Sequence, residues 1–233
     1  MRDFNENPFI VIWELTRACQ LQCLHCRAEA QYHRDPRELT FEEGKKLIDE
    51  IYDMDQPMLV FTGGDPLMRP DVYDLAKYAI DKGLRVSMKP SATPNVTKEA
   101  IRKAKEVGLA RWAFSLDGPN AEIHDHFRGT SGSFALTIRA IQYLHELDIP
   151  VQINTVISRK MRRLRISPRV RRLAFTRLRR NGRLFGKRTV LHLYSEGAAK
   201  QRSKPPLGQR GRLSPAWLAA PGRSGGFFAA ADG

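Results

Sequence analysis

The sequence predicts a parallel α/β fold, and the main observation is a regular alternation of segments. Short apolar segments alternate with amphipathic helical ones through the first two-thirds of the chain, with the roughly 25 to 30 residue repeat of a βα unit. Polar residues, glycine or proline follow each apolar segment. Strict alternation favours parallel strands, in either a barrel or an open doubly wound sheet. In both, chemistry is expected at the carboxyl ends of the strands.

Five segments have the length and apolar character of buried parallel strands. They are Phe9–Leu15, Met58–Thr62, Leu84–Met88, Ala110–Leu116 and Val151–Ile157.

Helices are predicted between these strands. Thr40 and Glu43 form a capping box that starts the first helix, and Pro70 marks the start of the second. Gly83 and Gly108 are expected just past two helix ends. The later helices are predicted at Asp71–Lys82, Lys98–Val107 and Phe134–Leu147.

The positive charge is concentrated at one end of the chain. The net charge is +14, yet residues 1–159 hold 20 Lys and Arg against 23 Asp and Glu, whereas residues 160–233 hold 19 against two. The second segment has no sustained strand or helix period, so disorder is predicted for it. One interpretation is a nucleic-acid arm. We favour a frameshift or truncation, because pattern and composition change together near residue 160, and a nucleic-acid partner is therefore not expected.

The three cysteines, Cys19, Cys23 and Cys26, lie within eight residues after the first predicted strand. An odd, tight cluster is a poor disulfide framework but a plausible metal site, which predicts a reducing compartment. The amino terminus lacks the pattern of a signal peptide and no apolar run is long enough to span a membrane, so a cytoplasmic, non-membrane protein is expected.

Three thiolates suit an iron–sulfur cluster with one open position. A 4Fe–4S cluster normally takes four cysteines, so three leave one iron free to bind another molecule. The alternative is a structural zinc loop with His25 or His33 as the fourth ligand. Zinc knuckles favour Cys-x2-Cys pairs, and zinc does not account for the βα setting.

The spacing Cys-x3-Cys-x2-Cys is that of the radical S-adenosylmethionine (SAM) superfamily, and the resemblance covers about residues 8–159. The stretches WELTRACQLQCLHCRAEA, TGGDPL and SLDGPNAEIHDHFRG resemble members that mature haem-type tetrapyrroles, peptides and sulfatases. They are most similar to the branch linked to d-type haem and decarboxylated siroheme. The segment KPSATP, where relatives usually carry Thr-Asn-Gly, resembles a little-characterised subgroup.

The resemblance implies a partial radical SAM (βα) barrel, truncated at about the fifth strand, with an incomplete core at residues 1–159 and a basic tail at 160–233. It implies a 4Fe–4S cluster and SAM as cofactors. Reductive cleavage of SAM would give a 5′-deoxyadenosyl radical that abstracts hydrogen from a tetrapyrrole or peptide, with flavodoxin or ferredoxin as reductant. The alternatives are an inactive remnant that still binds the cluster and a basic nucleic-acid-binding module.

The resemblance also implies site residues beyond the cysteines. The turn Gly63-Gly64-Asp65 matches the one that meets the SAM amino group, with Asp in place of the commoner Glu. Glycines at a strand end let backbone groups approach a ligand closely. His25 matches a usually aromatic position near the adenine.

Further SAM contacts are implied after the third and fourth strands. Ser91 and Arg128 match positions that contact the SAM ribose or carboxylate, and an arginine fork suits a carboxylate. Other candidates follow the fourth strand or lie on the fifth, namely Ser115, Asp117 and Asn154.

Several of these residues also have structural interpretations. Asp117 precedes a glycine and can serve as a turn or helix cap. Arg128 can be a solvated charge or a partner of Asp125. His124 and His126 flank Asp125 like a metal-binding trio, but a predicted polar loop or helix start makes that role disfavoured.

Overall fold

The computed structural model of the 233-residue chain describes residues 7–26, 28–157 and 189–195. Six strands form one sheet in which every neighbouring pair is parallel and the spatial order follows the chain order. The strands are β1 (Ile10–Thr16), β2 (Met58–Gly63), β3 (Val86–Met88), β4 (Arg111–Ser115), β5 (Val151–Ile157) and β6 (Thr189–Ser195).

This strand order decides between the two predicted architectures. A doubly wound sheet reverses its order at a switch point, whereas a barrel wall keeps the chain order. The order from β1 to β6 has no reversal, so the sheet corresponds to part of a (βα) barrel wall. The predicted parallel α/β class is confirmed.

Helices connect the strands. They are α1 (Phe41–Asp53), α2 (Val72–Asp81), α3 (Lys98–Val107), α4 (Ala121–Arg128) and α5 (Ser133–Glu146), with a short 3₁₀ helix at Pro66–Met68. Neighbouring helices pack side by side, α1 on α2, α2 on α3 and α3 on α5. The core lies beneath them and includes fully buried Leu59, Phe61, Met88, Trp112 and Phe114.

The five predicted strands are confirmed, with ends shifted by at most two residues. The largest shift is at β3, which begins at Val86 instead of Leu84, while Val151–Ile157 agrees at both ends.

The predicted helix signals are also confirmed. Thr40 Oγ1 accepts the Glu43 N–H at 3.3 Å, and the Glu43 carboxylate accepts the Thr40 N–H at 2.9 Å, which completes the capping box. Gly83 and Gly108 follow α2 and α3 with positive φ angles. Helix α2 begins at Val72, two residues after Pro70.

Helix α4 is longer than the loop or helix start that the sequence predicted. Asn120 caps its first turn by accepting the Ile123 N–H, and Gly129 ends it in the left-handed conformation. Its one buried side chain is the polar His124, and its apolar residues Ile123 and Phe127 are half-buried.

Strand β6 lies in a segment for which the sequence predicted no regular structure. It pairs with β5 along all seven of its residues. Three of its seven residues, Thr189, Val190 and Tyr194, are of the β-branched and aromatic types that favour strands. The predicted disorder and the frameshift or nucleic-acid interpretations of the other tail residues, 160–188 and 196–233, concern positions outside the described residues.

None of the helices in the described part of the chain has the length and apolar character needed to cross a bilayer.

Candidate functional site

The cysteine loop, residues 19–31, leaves the carboxyl end of β1 and is closed at its base. The Cys19 N–H donates to the Gln31 carbonyl at 2.8 Å, and the Gln31 N–H donates to the Arg17 carbonyl at 2.8 Å. Ala18 and Gln31 form an isolated parallel bridge. The backbone therefore fixes both ends of the loop against the sheet.

Each of the three cysteine sulfurs lies within reach of a hydrogen-bond donor. Hydrogen bonds to sulfur favour the thiolate, which is the form that binds metal. The residues present therefore fit a thiolate-bound cluster. The pairs are the Leu21 N–H with Cys19 at 3.4 Å, the Arg128 guanidinium with Cys23 at 3.6 Å and the Ala30 N–H with Cys26 at 3.4 Å.

The three thiols differ in exposure. Cys19 is buried, whereas Cys23 and Cys26 are half-buried. Burial raises the pKa of the Cys19 thiol, and a hydrogen bond with Ser91 partly offsets this. Among the residues that the structure describes, no three His, Cys, Asp or Glu side chains lie close enough together to hold one metal ion. A cluster does not require such a group, because each thiolate binds a different iron.

The Gly63-Gly64 turn at the end of β2 packs against the backbone that leads into the first cysteine. Gly63 has a φ of 132°, and the Gly64 N–H donates to the Thr16 carbonyl at 2.8 Å. A Cβ on Gly64 would overlap the carbonyl oxygens of Arg17 and Ala18. The missing side chains therefore allow β1 and β2 to approach closely at the base of the cysteine loop.

Asp65 is fully buried directly after this turn. Its carboxylate accepts hydrogen bonds from the Thr93 hydroxyl at 2.9 Å, the Ser91 N–H at 3.3 Å and the Leu67 N–H at 3.2 Å. Burial raises the pKa of Asp65 to about 6, although these hydrogen bonds act against the rise. The carboxylate thus joins the turn after β2 to the segment after β3.

Ser91 connects that segment to the cysteine loop. Its hydroxyl donates to the Gly64 carbonyl at 2.9 Å and lies 3.3 Å from the Cys19 sulfur. Four predicted site residues, Cys19, Gly64, Asp65 and Ser91, therefore meet at one edge of the sheet.

His25 lies over the end of α4. Its ring stacks on Phe127 with centroids 4.1 Å apart, and its Nδ1 is buried without a hydrogen-bond partner among the described residues. Burial lowers the pKa of His25, and the charge of Arg128 lowers it further. The other histidine of the zinc alternative, His33, lies edge-on to Tyr32.

Arg128 and Asp117 form a buried ion pair beside Cys23. The second Asp117 oxygen accepts the Val156 N–H at 2.7 Å. Burial disfavours the Arg128 cation, but Asp117 and Cys23 outweigh this and raise its pKa. The structure therefore shows that Arg128 is not a solvated charge, and that Asp117 does not act as a helix cap.

Asp125 is not the partner of Arg128 that one interpretation suggested. Its carboxylate accepts the N–H groups of Gly132 and Phe134, each at 2.7 Å, and so fixes the connection between α4 and α5.

His124 is buried, and both of its ring nitrogens lie within hydrogen-bond distance of other protein groups. Its Nδ1 accepts the Asp117 N–H at 3.1 Å, and its Nε2 lies 3.2 Å from the Ser133 hydroxyl. Burial lowers the pKa of His124 to about 4. With Asp125 bonded elsewhere, the trio that includes His126 is not assembled as a metal site in the described structure.

Ser115, the last residue of β4, pairs with Asn154, the middle residue of β5. The Asn154 side-chain oxygen accepts the Gln152 amide at 2.9 Å. These two residues lie on the two strands that follow the β1–β3 group in the sheet.

Sequence reasoning missed two residues of this region, Thr93 and Phe127. Thr93 lies in the KPSATP segment, whose departure from the usual family pattern was the available signal. Phe127 directly precedes Arg128, and no sequence signal indicates that its ring stacks on the cysteine loop.

Solved structures with the same fold contain SAM or a peptide. The chain matches an anSMEcpe structure with bound SAM with a TM-score of 0.60, over 80% of this chain and 50% of that one, at 16% identity. It matches SuiB of Streptococcus suis bound to the precursor peptide SuiA with a TM-score of 0.62, over 86% and 43%, at 15% identity. At these identities the likeness shows the fold alone, and the predicted partial radical SAM fold is confirmed.

Curated relatives agree with that fold. The chain is 47% identical over 150 residues to an AdoMet-dependent heme synthase of Nitratidesulfovibrio vulgaris, covering 64% of this chain and 41% of the relative. It is 39% identical over 151 residues to an Fe-coproporphyrin III synthase of Methanosarcina barkeri, covering 65% and 37%. The chain thus spans about two fifths of the length of the curated relatives it matches. The profile of the radical SAM superfamily matches residues 13–161, and the chain belongs to this superfamily.

Proposed function

We propose that this chain binds a 4Fe–4S cluster through Cys19, Cys23 and Cys26, binds SAM at the iron without a protein ligand, and cleaves SAM reductively. The radical SAM superfamily uses these two cofactors. When bound, they supply a 5′-deoxyadenosyl radical for hydrogen abstraction. The protein's own part is to hold the thiolates, to place SAM and to limit water.

The observation that carries this proposal is the set of donors around the cysteine sulfurs. Three sulfurs lie on one loop, each within reach of its own hydrogen-bond donor, and each can bind a different iron of one cluster. The loop also lies at the carboxyl end of β1, where a parallel α/β fold carries its chemistry.

The SAM contacts are proposed from the residues around this loop. Arg128 has a buried Nε without a hydrogen-bond partner among the described residues, and this N–H suits a contact with the SAM carboxylate. His25 also has an unpartnered ring nitrogen, which suits a contact with the adenine. The backbone of Gly63-Gly64 and the hydroxyl of Ser91 are proposed to border the amino group and ribose.

Other parts of the proposed SAM site have weaker support. Asp65 already accepts three hydrogen bonds within the protein, so we propose that it shapes the turn and acts on SAM through Ser91. Ser115 and Asn154 are proposed to border the substrate side of the site, whereas Asp117 is proposed to act through Arg128.

For the substrate, we propose a tetrapyrrole. The AdoMet-dependent heme synthases and the Fe-coproporphyrin III synthase support this choice. A peptide is the second candidate, because the chain is also 36% identical to a mycofactocin maturase of Mycobacterium tuberculosis. We further propose flavodoxin or ferredoxin as reductant and a cytoplasmic location, since free thiols and a low-potential cluster need a reducing compartment.

The proposal is tested by anaerobic reconstitution of the full chain with iron and sulfide. We expect about four irons per chain, as for one 4Fe–4S cluster, and release of 5′-deoxyadenosine from SAM under dithionite. Iron uptake without 5′-deoxyadenosine would indicate an inactive cluster-binding protein. Absence of iron uptake would contradict the proposal.

One cysteine variant and one histidine variant separate the cluster from a zinc loop that uses His33. Cys23→Ser is expected to lose the cluster. His33→Ala is the matched control, because His33 lies on the same segment but is not a proposed ligand. Retained iron in His33→Ala supports the cluster, whereas loss of a single bound zinc ion in that variant would support the zinc loop.

A further inference from the structure

The carboxyl end of α4 contacts the cysteine loop at three points besides the contact of Arg128 with the Cys23 sulfur. The Leu24 N–H donates to the Phe127 carbonyl at 3.3 Å, and the Gln22 N–H donates to the Thr130 hydroxyl at 3.3 Å. The rings of Phe127 and His25 stack. The loop that carries the cysteines is therefore held against α4 as well as against the sheet.

Gly129 allows this close approach. Its φ is 62°, in the left-handed region, and a Cβ there would overlap the Gln22 carbonyl oxygen. The α4 terminus thus lies in direct backbone contact with the loop.

Arg128 extends from the same helix end, and Asp117 fixes its guanidinium. One oxygen of Asp117 pairs with its guanidinium, and the other accepts the Val156 N–H of β5 at 2.7 Å. Only 1% of the Asp117 side chain and 13% of the Arg128 side chain are exposed. Because β5 fixes the Asp117 carboxylate, this carboxylate in turn fixes the Arg128 guanidinium. The guanidinium lies 3.6 Å from the Cys23 sulfur.

We propose that Asp117 is a positioning residue that holds Arg128 against Cys23, and that it thereby raises the reduction potential of the cluster and orders the cysteine loop. The part concerning the cluster rests on the proposed function. A cation beside a ligating sulfur stabilises the extra negative charge of the reduced cluster, and hydrogen bonds to sulfur raise its potential. Asp117 itself does not touch the sulfur.

The sign of a potential shift tests this proposal. In the reconstituted protein without SAM, Arg128→Gln is expected to have a more negative cluster potential than the wild type. Asp117→Asn is expected to shift in the same negative direction, because the released guanidinium moves away from Cys23. If Asp117 acted only through its own negative charge, its removal would shift the potential in the positive direction, and the proposal would be overturned.

Arg128→Lys provides a second variant with the charge retained. A lysine ammonium is a point charge and cannot contact Asp117 and Cys23 through a fork. We expect a potential between those of the wild type and Arg128→Gln. A value equal to that of the wild type would show that charge alone is sufficient and would contradict the need for positioning.

Hydrogen exchange on the full chain without a cluster gives a second readout. In Asp117→Asn the amides of Gln22 and Leu24 are expected to exchange about tenfold faster or more, since local opening becomes easier. Asp125→Asn is the matched control on the same helix, and it should accelerate the amides of Gly132 and Phe134 instead.

The two readouts separate the two proposals. If the wild type takes up no cluster, the proposed function fails, and the exchange experiment still decides whether Asp117 orders the loop. Unchanged exchange at Gln22 and Leu24 in a cooperatively folded Asp117→Asn protein would overturn the positioning role.

Discussion

Thr93 donates a hydrogen bond to the buried carboxylate of Asp65 across 2.9 Å. This contact joins the turn after β2 to the segment after β3. The same carboxylate accepts the Ser91 N–H, and Ser91 connects it to the cysteine loop. The hydroxyl of Ser91 in turn lies 3.3 Å from the Cys19 sulfur. The acidic residue of the Gly-Gly turn thus supports the site from the protein interior.

Asp65 should make the stability of the fold depend on pH. Burial raises its pKa from 3.8 to about 6, so the folded state binds a proton more tightly than the unfolded state does. Its stabilising effect is present below about pH 4 and is lost as the pH rises through 6, by an amount on the order of 3 kcal/mol. Urea unfolding of the wild type and Asp65→Asn across this range checks this.

The unfolding free energy of the wild type minus that of Asp65→Asn is expected to decrease as the pH rises. The other titrating groups are common to both proteins and cancel in this difference. A difference that stays constant with pH would show that Asp65 has an ordinary pKa.

His124 should produce the opposite pH dependence. Burial lowers its pKa from 6.5 to about 4, so the unfolded state binds the proton more tightly. Stability is therefore retained above pH 6.5 and is lost as the pH falls toward 4, by an amount on the order of 3 kcal/mol. His124→Asn keeps an acceptor for the Asp117 N–H but does not titrate, so its unfolding free energy should decline less on acidification.

The measurement is chemical denaturation of both proteins between about pH 4 and 7. Parallel pH profiles for wild type and His124→Asn would contradict the burial of a neutral imidazole.

Gly64→Ala tests the close approach of the β2 turn to the cysteine loop. The new methyl group would overlap the Ala18 carbonyl oxygen, so we expect a loss of about 3 kcal/mol or more in unfolding free energy. Gly132→Ala is the control. Gly132 has a φ of 82° but open space around its Cβ position, so strain alone should cost about 1–2 kcal/mol. Equal losses in the two variants would show that the overlap is relieved at no cost.

Features encoded within a few residues were predictable from the sequence. The capping box of Thr40 and Glu43 and the cysteine spacing are local, so the start of α1 and the proposed ligands could be identified directly. The alternation of segments likewise predicted the parallel sheet and its carboxyl-end site, because each βα unit repeats the same pattern.

Contacts between distant residues could not be predicted in this way. The pairing of Arg128 with Asp117 depends on how the end of α4 lies against the segment that follows β4, and the sequence suggested Asp125 as the partner instead. Helix α4 has only 8 residues, and its apolar residues Ile123 and Phe127 form a single i, i+4 pair, which is a short pattern from which to predict a helix. Thr93 was also missed, since nothing local links it to Asp65.

The central claim is that three cysteines hold a cluster whose remaining iron binds SAM. It is tested most directly by adding SAM to the reduced, reconstituted protein and recording its electron paramagnetic resonance spectrum. Coordination of SAM to the open iron is expected to change the g-values of the cluster signal. A cluster signal that stays the same at saturating SAM, or reconstituted protein that shows no cluster signal, would contradict the account.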